Sequence, residues 1–145
     1  MVFMLPRFSK ILVPVDFTEK NLAALDIAFE LAVANRARVT LLHVVETLDV
    51  ESDAELEQFY DRLQKRADAE LERMSQRFTA AAIAIDRKVR FGKRLPEILK
   101  CCNESGADLV IMSSHKPDLQ KPQQTWATLS YQVSVLCPGP VLLVK

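Results

Sequence analysis

The stretch Ile11-Leu-Val-Pro-Val15, followed by Asp16-Phe-Thr18, decides the fold that we predict for this chain of 145 residues. A short run that is apolar at every position, rather than at alternate positions, indicates a strand buried on both faces, as in a parallel sheet. Pro14 cannot donate to a neighbouring strand, so we place it near the end of this one. A helix is predicted to follow to about Asn35, with Thr18-Glu-Lys20 as its cap and apolar residues at helical spacing: Leu22, Leu25, Phe29, Ala32 and Val33.

The alternation of strand and helix continues to the end of the chain. Apolar runs predict strands at 39–45, 109–112 and 141–144, and weaker segments at 82–85 and 88–90 predict another. Helices are predicted at about 53–77, from Leu95 to a stop at Gly106, and around 125–136. Alternating strands and helices form right-handed βαβ units. We therefore predict an α/β fold in one domain over 1–145: an open, doubly wound, Rossmann-like sheet of five parallel strands with about four helices.

This topology also predicts where a ligand would bind. Doubly wound sheets bind ligands beyond the carboxyl ends of their strands, where the strand order reverses. With the first strand at the centre, that crevice lies between the ends of the first and fourth strands. The residues there are Asp16-Phe-Thr18 and Ser113-Ser-His-Lys116. Asp16 has two uses that can coexist, as an acceptor for a ligand or for amides at the start of the first helix.

Composition excludes several classes of function. Nineteen Lys and Arg balance nineteen Asp and Glu, which argues against a nucleic-acid binder that relies on positive charge. The three cysteines are too few and wrongly spaced for a disulfide framework or a zinc site, which favours a reducing compartment. The opening residues 1–7 are too short for a signal peptide, and the uncharged segment 122–144 contains three prolines. We expect a cytoplasmic protein without metal, nucleic-acid or membrane partners.

Five motifs in register resemble the universal stress protein family over essentially the whole chain. They are Ile11-Leu-Val-Pro-Val-Asp-Phe-Thr-Glu19, Leu41-Leu-His-Val-Val45, Gly92-Lys-Arg-Leu-Pro-Glu-Ile98, Gly106-Ala-Asp-Leu-Val-Ile-Met-Ser-Ser-His115 and Gly139-Pro-Val-Leu-Leu-Val144. The resemblance implies the strand order 3-2-1-4-5. It also implies a homodimer that forms through the last strand, which here is Val141, Leu142, Leu143 and Val144. An unpaired apolar edge strand favours such pairing.

The resemblance further implies a nucleotide site in the crevice, because many members of the family bind ATP there. Asp16 and Val44 match the positions that hold adenine and ribose in those members. Pro14 and the stretch near Gly92 match positions that line the pocket. The phosphates of ATP rest on a loop of pattern Gly-x2-Gly-x9-Gly-Ser/Thr, in which glycine lets backbone amides approach phosphate oxygens closely.

This chain departs from the glycine pattern of that loop. The three glycine positions hold Ser113, Lys116 and, with one extra residue allowed, Ala127, while Thr128 keeps the final hydroxyl. The loop also contains Pro117 and Pro122, which have no amide hydrogen to donate. The chain therefore resembles the branch of the family that lacks the glycine loop and does not bind ATP.

Two hypotheses of function follow, and a third has little support. The first is a homodimeric stress-response module that acts on unknown protein partners, without ATP or another cofactor and without catalysis. The second is a weak sensor of ATP or AMP, whose candidate residues are Pro14, Asp16, Val44, Ser113, Ser114, Lys116 and Thr128. The third is a hydrolase using Ser113 and His115, for which we find no convincing third group.

Five side chains have ordinary structural explanations. We expect His43 to be a structural histidine on the second strand. Cys102 falls on the apolar stripe of its helix, whereas Cys101 is predicted to be partly exposed. Buried packing is the default for both thiols, and redox sensing is the alternative. Trp126 and Tyr131 are predicted to pack the last helix against the sheet.

Overall fold

Five parallel strands form a sheet within residues 6–145, which are the residues that the computed structural model describes. The strands are Lys10–Pro14 (β1), Arg38–Glu46 (β2), Ile85–Gly92 (β3), Leu109–Ser113 (β4) and Val141–Val144 (β5). They stand in the order β3-β2-β1-β4-β5, and every neighbouring pair is parallel. The predicted doubly wound α/β sheet and its strand order are therefore confirmed.

The described residues form five helices rather than about four. They are Asn21–Asn35 (α1), Ala54–Ala80 (α2), Arg94–Ser105 (α3), Pro122–Trp126 (α4) and Leu129–Leu136 (α5). The helix predicted around 125–136 is confirmed over Leu129–Leu136, but it is not continuous back to 125 because it is interrupted at Thr128. The backbone of Thr128 is extended, and its hydroxyl accepts a hydrogen bond from the amide of Tyr131. A side chain that caps a new helix in this way separates α5 from α4.

The third strand begins later than the sequence predicts. Ala82 has a φ of 60°, which lies in the left-handed region, and it stands in the turn that follows α2. A strand requires an extended backbone, so this residue cannot belong to β3. The strand starts at Ile85 and continues to Gly92, two residues beyond the predicted end.

Two apolar layers cover the two faces of the sheet. Helices α1 and α2 pack on one face, where Val13, Leu41 and Phe78 belong to one buried cluster. Helices α3 and α5 pack on the other face, around Leu42 and Met112. Because successive side chains of a strand point to opposite faces, β1, β2 and β4 need apolar residues at nearly every position.

Helix α1 buries only part of the apolar stripe that its sequence predicts. Leu25 and Ala32 are buried and Phe29 is half-buried, but Leu22 and Val33 are 61% and 52% exposed. Small residues allow the helix to approach the strands closely. The buried residues of α1 are Asn21, Ala24, Leu25, Ala28 and Ala32.

Three further side chains lie elsewhere than predicted. Trp126 and Tyr131 are 55% and 37% exposed, so the prediction that they pack the last helix against the sheet is wrong. Ser130 and Val133 face the core instead, because residues three apart share one helix face and Tyr131 lies about 100° from Ser130. Cys101 is only 1% exposed, so its predicted partial exposure is also wrong.

Two expectations from the sequence concern a signal peptide and a membrane-spanning segment. The argument against a signal peptide depends on residues 1–7, of which 1–5 lie outside the described residues. None of the helices within 6–145 combines the length and the apolar character that a membrane span requires.

The packing of α2 predicts a strong dependence of stability on Phe78. Its ring is fully buried and meets Phe29 edge-on, with ring centroids 5.5 Å apart. Phe78→Ala should lower the free energy of unfolding by about 3–5 kcal/mol, because it removes a large buried ring and leaves a cavity. Phe59→Ala is the matched control on the same helix, where the ring is 43% exposed. Urea unfolding followed by circular dichroism measures both, and similar losses would contradict this packing.

Candidate functional site

A cavity of about 270 Å³ opens at the carboxyl ends of β1 and β4, where the strand order reverses. This is the place that the topology predicts for a ligand. The strand ends, the start of α1, the first turns of α3 and the region where α5 begins supply its lining. The lining residues are Pro14, Val15, Asp16, Asn21, Leu42, His43, Val44, Arg94, Ile98, Met112, Ser113, His115, Thr128, Leu129 and Ser130.

Asn21 joins the elements that meet at this cavity. Its side-chain oxygen accepts hydrogen bonds from the amides of Asp16 and Phe17, both at 2.9 Å. Its side-chain amide donates to the hydroxyl of Ser113 at 3.1 Å, and that hydroxyl donates to the carbonyl of Lys20. Lys20 precedes α1, but its side chain does not cap the helix, so the predicted cap at 18–20 is wrong in this respect. Asn21, only 3% exposed, holds the loop instead.

Asp16 lies at the mouth of the cavity and has its carboxylate held in place. One carboxylate oxygen accepts hydrogen bonds from the amide and the hydroxyl of Thr18, at 3.0 and 2.7 Å. Burial alone would raise the pKa of Asp16, but these two donors and the Arg94 guanidinium keep it below its ordinary value. Asp16 is therefore charged at neutral pH, and its second oxygen is available to accept from a ligand.

Phe17 adopts a strained backbone beside Asp16. Its φ is 66°, in the left-handed region that residues other than glycine seldom adopt. Its ring stacks on His43, with ring centroids 4.1 Å apart, and the His43 Nδ1 lies 2.9 Å from the carbonyl of Val15. This hydrogen bond requires a proton on Nδ1. The expected structural role of His43 therefore includes fixing the loop that carries Asp16.

Arg94 brings a guanidinium group to the cavity, and the sequence analysis did not identify it as a site residue. It occupies the first position of α3 and lines the cavity, with its Nε 3.8 Å from a carboxylate oxygen of Glu46. Its positive charge acts on both Asp16 and His43. One feature of the sequence could have identified Arg94 as a site residue. It lies in the Gly92-Lys-Arg94 segment after a strand, and the family resemblance assigns this segment to the pocket wall.

Five of the seven candidate ligand residues come together at the cavity, and two do not. Ser114 and Lys116 are absent from its lining, which includes Pro14, Asp16, Val44, Ser113 and Thr128. The Ser114 hydroxyl lies 2.9 Å from that of Ser130, so it faces the start of α5. Lys116 lines a separate depression together with Lys20 and Lys145.

The possible catalytic pair does not form in this arrangement. The imidazole of His115 contacts the ammonium of Lys20, whereas the Ser113 hydroxyl contacts Asn21 and the Lys20 carbonyl. A nucleophilic serine requires a base within hydrogen-bond distance.

Within residues 6–145, no group of three or more His, Cys, Asp or Glu side chains is placed to hold a metal ion.

The sequence matches the model of the universal stress protein family over residues 7–145. The chain belongs to this family. A universal stress protein, YxiE from Bacillus subtilis, is 26% identical over 148 residues, covering 95% of this chain and 99% of the relative.

Solved structures of universal stress proteins share the fold. One from Burkholderia pseudomallei has a TM-score of 0.76 and 22% identity, covering 94% of this chain and 95% of the other. A universal stress protein in complex with cAMP has a TM-score of 0.73 and 18% identity, covering 95% and 97%. Another, from Archaeoglobus fulgidus in complex with dAMP, has a TM-score of 0.67 and 16% identity, covering 94% and 98%.

The environment of His43 predicts how stability depends on pH. Burial, together with the Arg94 charge, lowers the pKa of His43 despite the Val15 carbonyl and the Asp16 carboxylate, which raise it. The unfolded chain therefore takes up a proton more readily, so the stability due to His43 is complete above about pH 6.5 and declines as the pH falls. Melting temperatures from pH 7.5 to 5.0 should fall less steeply in His43→Gln than in the unaltered protein.

His115→Gln is the matched control, because the chain contains only two histidines and His115 is exposed. This variant should retain the pH dependence of the unaltered protein. The role given to His43 would be contradicted if the melting temperature fell less steeply with pH in His115→Gln and as steeply as in the unaltered protein in His43→Gln.

Proposed function

We propose that this universal stress protein is a non-catalytic, cytoplasmic regulatory protein that acts on protein partners as a homodimer. We further propose that it does not bind ATP and that its cavity accepts an adenine mononucleotide such as AMP. The cAMP and dAMP complexes of related folds support a ligand of this class. The observation that carries the proposal is a cavity with polar groups for a nucleoside but no lining by Ser114 or Lys116.

The size and lining of the cavity suit a nucleoside with at most a short phosphate chain. Its volume of about 270 Å³ lies just below the range of about 300–1,000 Å³ typical of ligand pockets. Val44, Ile98, Met112 and Leu129 provide apolar surface for a planar base. Asp16 offers a carboxylate oxygen to ribose hydroxyls at the rim.

The phosphate side of the cavity supports the exclusion of ATP. Ser113 occupies the first glycine position of the family loop, and its hydroxyl bonds to Asn21 and to the Lys20 carbonyl. Lys116, at the second glycine position, lies outside the cavity lining. Pro117 and Pro122 supply no amide hydrogens. A triphosphate needs several converging amides, and a loop with side chains at its glycine positions and two prolines is poorly suited to supply them.

The two edges of the sheet differ in a way that supports dimerisation at β5. The edge strand β3 carries the charged residues Asp86, Arg87, Lys88 and Arg90, whereas β5 reads Val141-Leu-Leu-Val144. Charged side chains protect an edge from pairing with another chain, and apolar ones do not. Leu142, which is 38% exposed, lies in the middle of the unprotected edge.

Calorimetric titration of nucleotide-free protein tests the proposed ligand. AMP should bind at least roughly tenfold more tightly than Mg-ATP, because the third phosphate finds no amide cradle. Asp16→Asn should weaken AMP binding by about tenfold through the loss of one charged hydrogen bond. Asp86→Asn, at the distant β3 edge, is the control and should bind as the unaltered protein does. Tighter binding of Mg-ATP than of AMP would contradict the proposal.

Absence of binding for both nucleotides would have a separate meaning. It would remove the nucleotide from the proposed function and leave action through protein partners alone. Occupancy of the cavity by AMP would instead allow the ligand to shift the population of a conformation that partners recognise.

Light scattering after size-exclusion chromatography tests the homodimer. Leu142→Lys should convert the dimer into monomers, because it places a charge on the pairing edge. Leu142 is preferable to Leu143, whose side chain packs against the buried cluster on the α3 and α5 face. Lys88→Glu, which alters the charge on the opposite edge, should leave the dimer intact. A dimer that persists in Leu142→Lys but dissociates in Lys88→Glu would place the interface at β3.

A further inference from the structure

Two of the three cysteines lie in contact on the face of the sheet that α3 and α5 cover. The sulfur of Cys102 on α3 is 3.6 Å from the sulfur of Cys137, which ends α5, although the residues are 35 positions apart. Both are free thiols and are buried, 5% and 9% exposed. The third thiol, Cys101, is adjacent in sequence to Cys102 and is 1% exposed.

The separation of the two sulfurs is close to what a covalent bond requires. A disulfide has a sulfur–sulfur distance of about 2.05 Å, so the sulfurs must approach each other by about 1.5 Å. Small rotations of the two side chains can supply such a movement. The apolar neighbours Leu12, Ile98 and Val133 belong to the same buried cluster and offer no competing polar partner.

We propose that Cys102 and Cys137 form a site of reversible oxidation, at which a low-molecular-weight disulfide converts the two thiols into one disulfide bond. The thiolate of Cys137 attacks one sulfur of the oxidant and expels the other as a thiolate. The sulfur of Cys102 then loses its proton and attacks the Cys137 sulfur of the mixed disulfide, releasing the second thiolate. The protein loses two electrons and two protons, and the oxidant takes up both to become two thiols.

The surroundings of the pair favour Cys137 as the first sulfur to react. Cys137 is the more exposed of the two, and it adjoins the Pro138-Gly-Pro140 segment at the surface. Burial and the contact with Cys137 raise the pKa of Cys102 to about 12, so Cys102 remains a thiol until the mixed disulfide is beside it. In a reducing compartment a pair of this kind is oxidised only transiently, as redox-sensing disulfides are.

The bond would join the two helices that frame one side of the cavity. Ile98 lines the cavity and lies one turn before Cys102 on α3. Leu129 and Ser130 line it from the first turn of α5, whose last turn is followed by Cys137. Oxidation would therefore link α3 to the end of α5 and close a loop of 35 residues in the unfolded chain.

Thiol counting on the whole protein tests the site. Reduced protein is incubated with oxidised glutathione, quenched in acid, denatured and alkylated, and its intact mass is measured. We expect the number of free thiols to fall from three to one, with the loss of two hydrogen atoms and a peptide joined through Cys102 and Cys137. Dithiothreitol should restore all three thiols. The oxidised form should melt about 5–10 °C higher than the reduced form.

Three variants distinguish this pair from the alternatives. Cys101→Ser is the matched control and should still lose two thiols. Cys137→Ala should form no internal disulfide, and Cys102→Ala makes the same test if the first variant fails to fold. Retention of three free thiols by the folded protein, or a disulfide that includes Cys101, would overturn the proposal. Accumulation of a glutathione adduct without closure to the internal bond would also overturn it.

Discussion

The candidate site depends on one buried amide side chain, that of Asn21. Its oxygen accepts from two successive backbone amides of the loop after β1, and its nitrogen donates to the hydroxyl of Ser113 at the end of β4. A buried polar group of this kind is costly unless all of its hydrogen bonds are made. The loop at Asp16 and Phe17, the start of α1 and the end of β4 are thereby held in one arrangement. The left-handed conformation of Phe17 persists because these bonds, and the stack on His43, stabilise it.

This constraint divides the crevice into two halves with different chemistry. On one side, Asp16 is held charged, Arg94 provides a positive charge, and Val44 provides apolar surface. On the other side, the Ser113 hydroxyl is engaged within the protein and Lys116 lies away from the cavity. In the proposed function the first half would hold a nucleoside, whereas the loop of the second half, with prolines at 117 and 122, has fewer amides to offer a triphosphate. The proposed preference for a mononucleotide rests on this difference between the two halves.

The sequence predicted β1, β2 and β4 well because these strands are largely buried on both faces and leave nearly uninterrupted apolar runs, whereas the charged edge strand β3 was predicted less accurately. The location of the crevice followed from topology, and Pro14, Asp16, Val44, Ser113 and Thr128 line it. Periodicity failed on α1, which is apolar on several sides, so the large residues Leu22 and Val33 did not mark the buried face. Periodicity also failed at Thr128, where the sequence predicts one continuous helix but the capping hydroxyl starts α5 separately from α4. The role of Asn21 and the Cys102–Cys137 contact depend on the meeting of separate elements, which no local pattern encodes.

The central claim is that an adenine mononucleotide binds at the Asp16 half of the crevice without using the 116–121 loop. Backbone amide NMR spectra of the assigned protein, recorded during titration with AMP, test it residue by residue. We predict that the amide signals of Asp16, Val44, Arg94 and Thr128 shift together along one saturable curve, while those of Lys116 and 118–121 stay unchanged. Shifts concentrated in the 116–121 loop, or no saturable shift at the first four residues, would contradict the account.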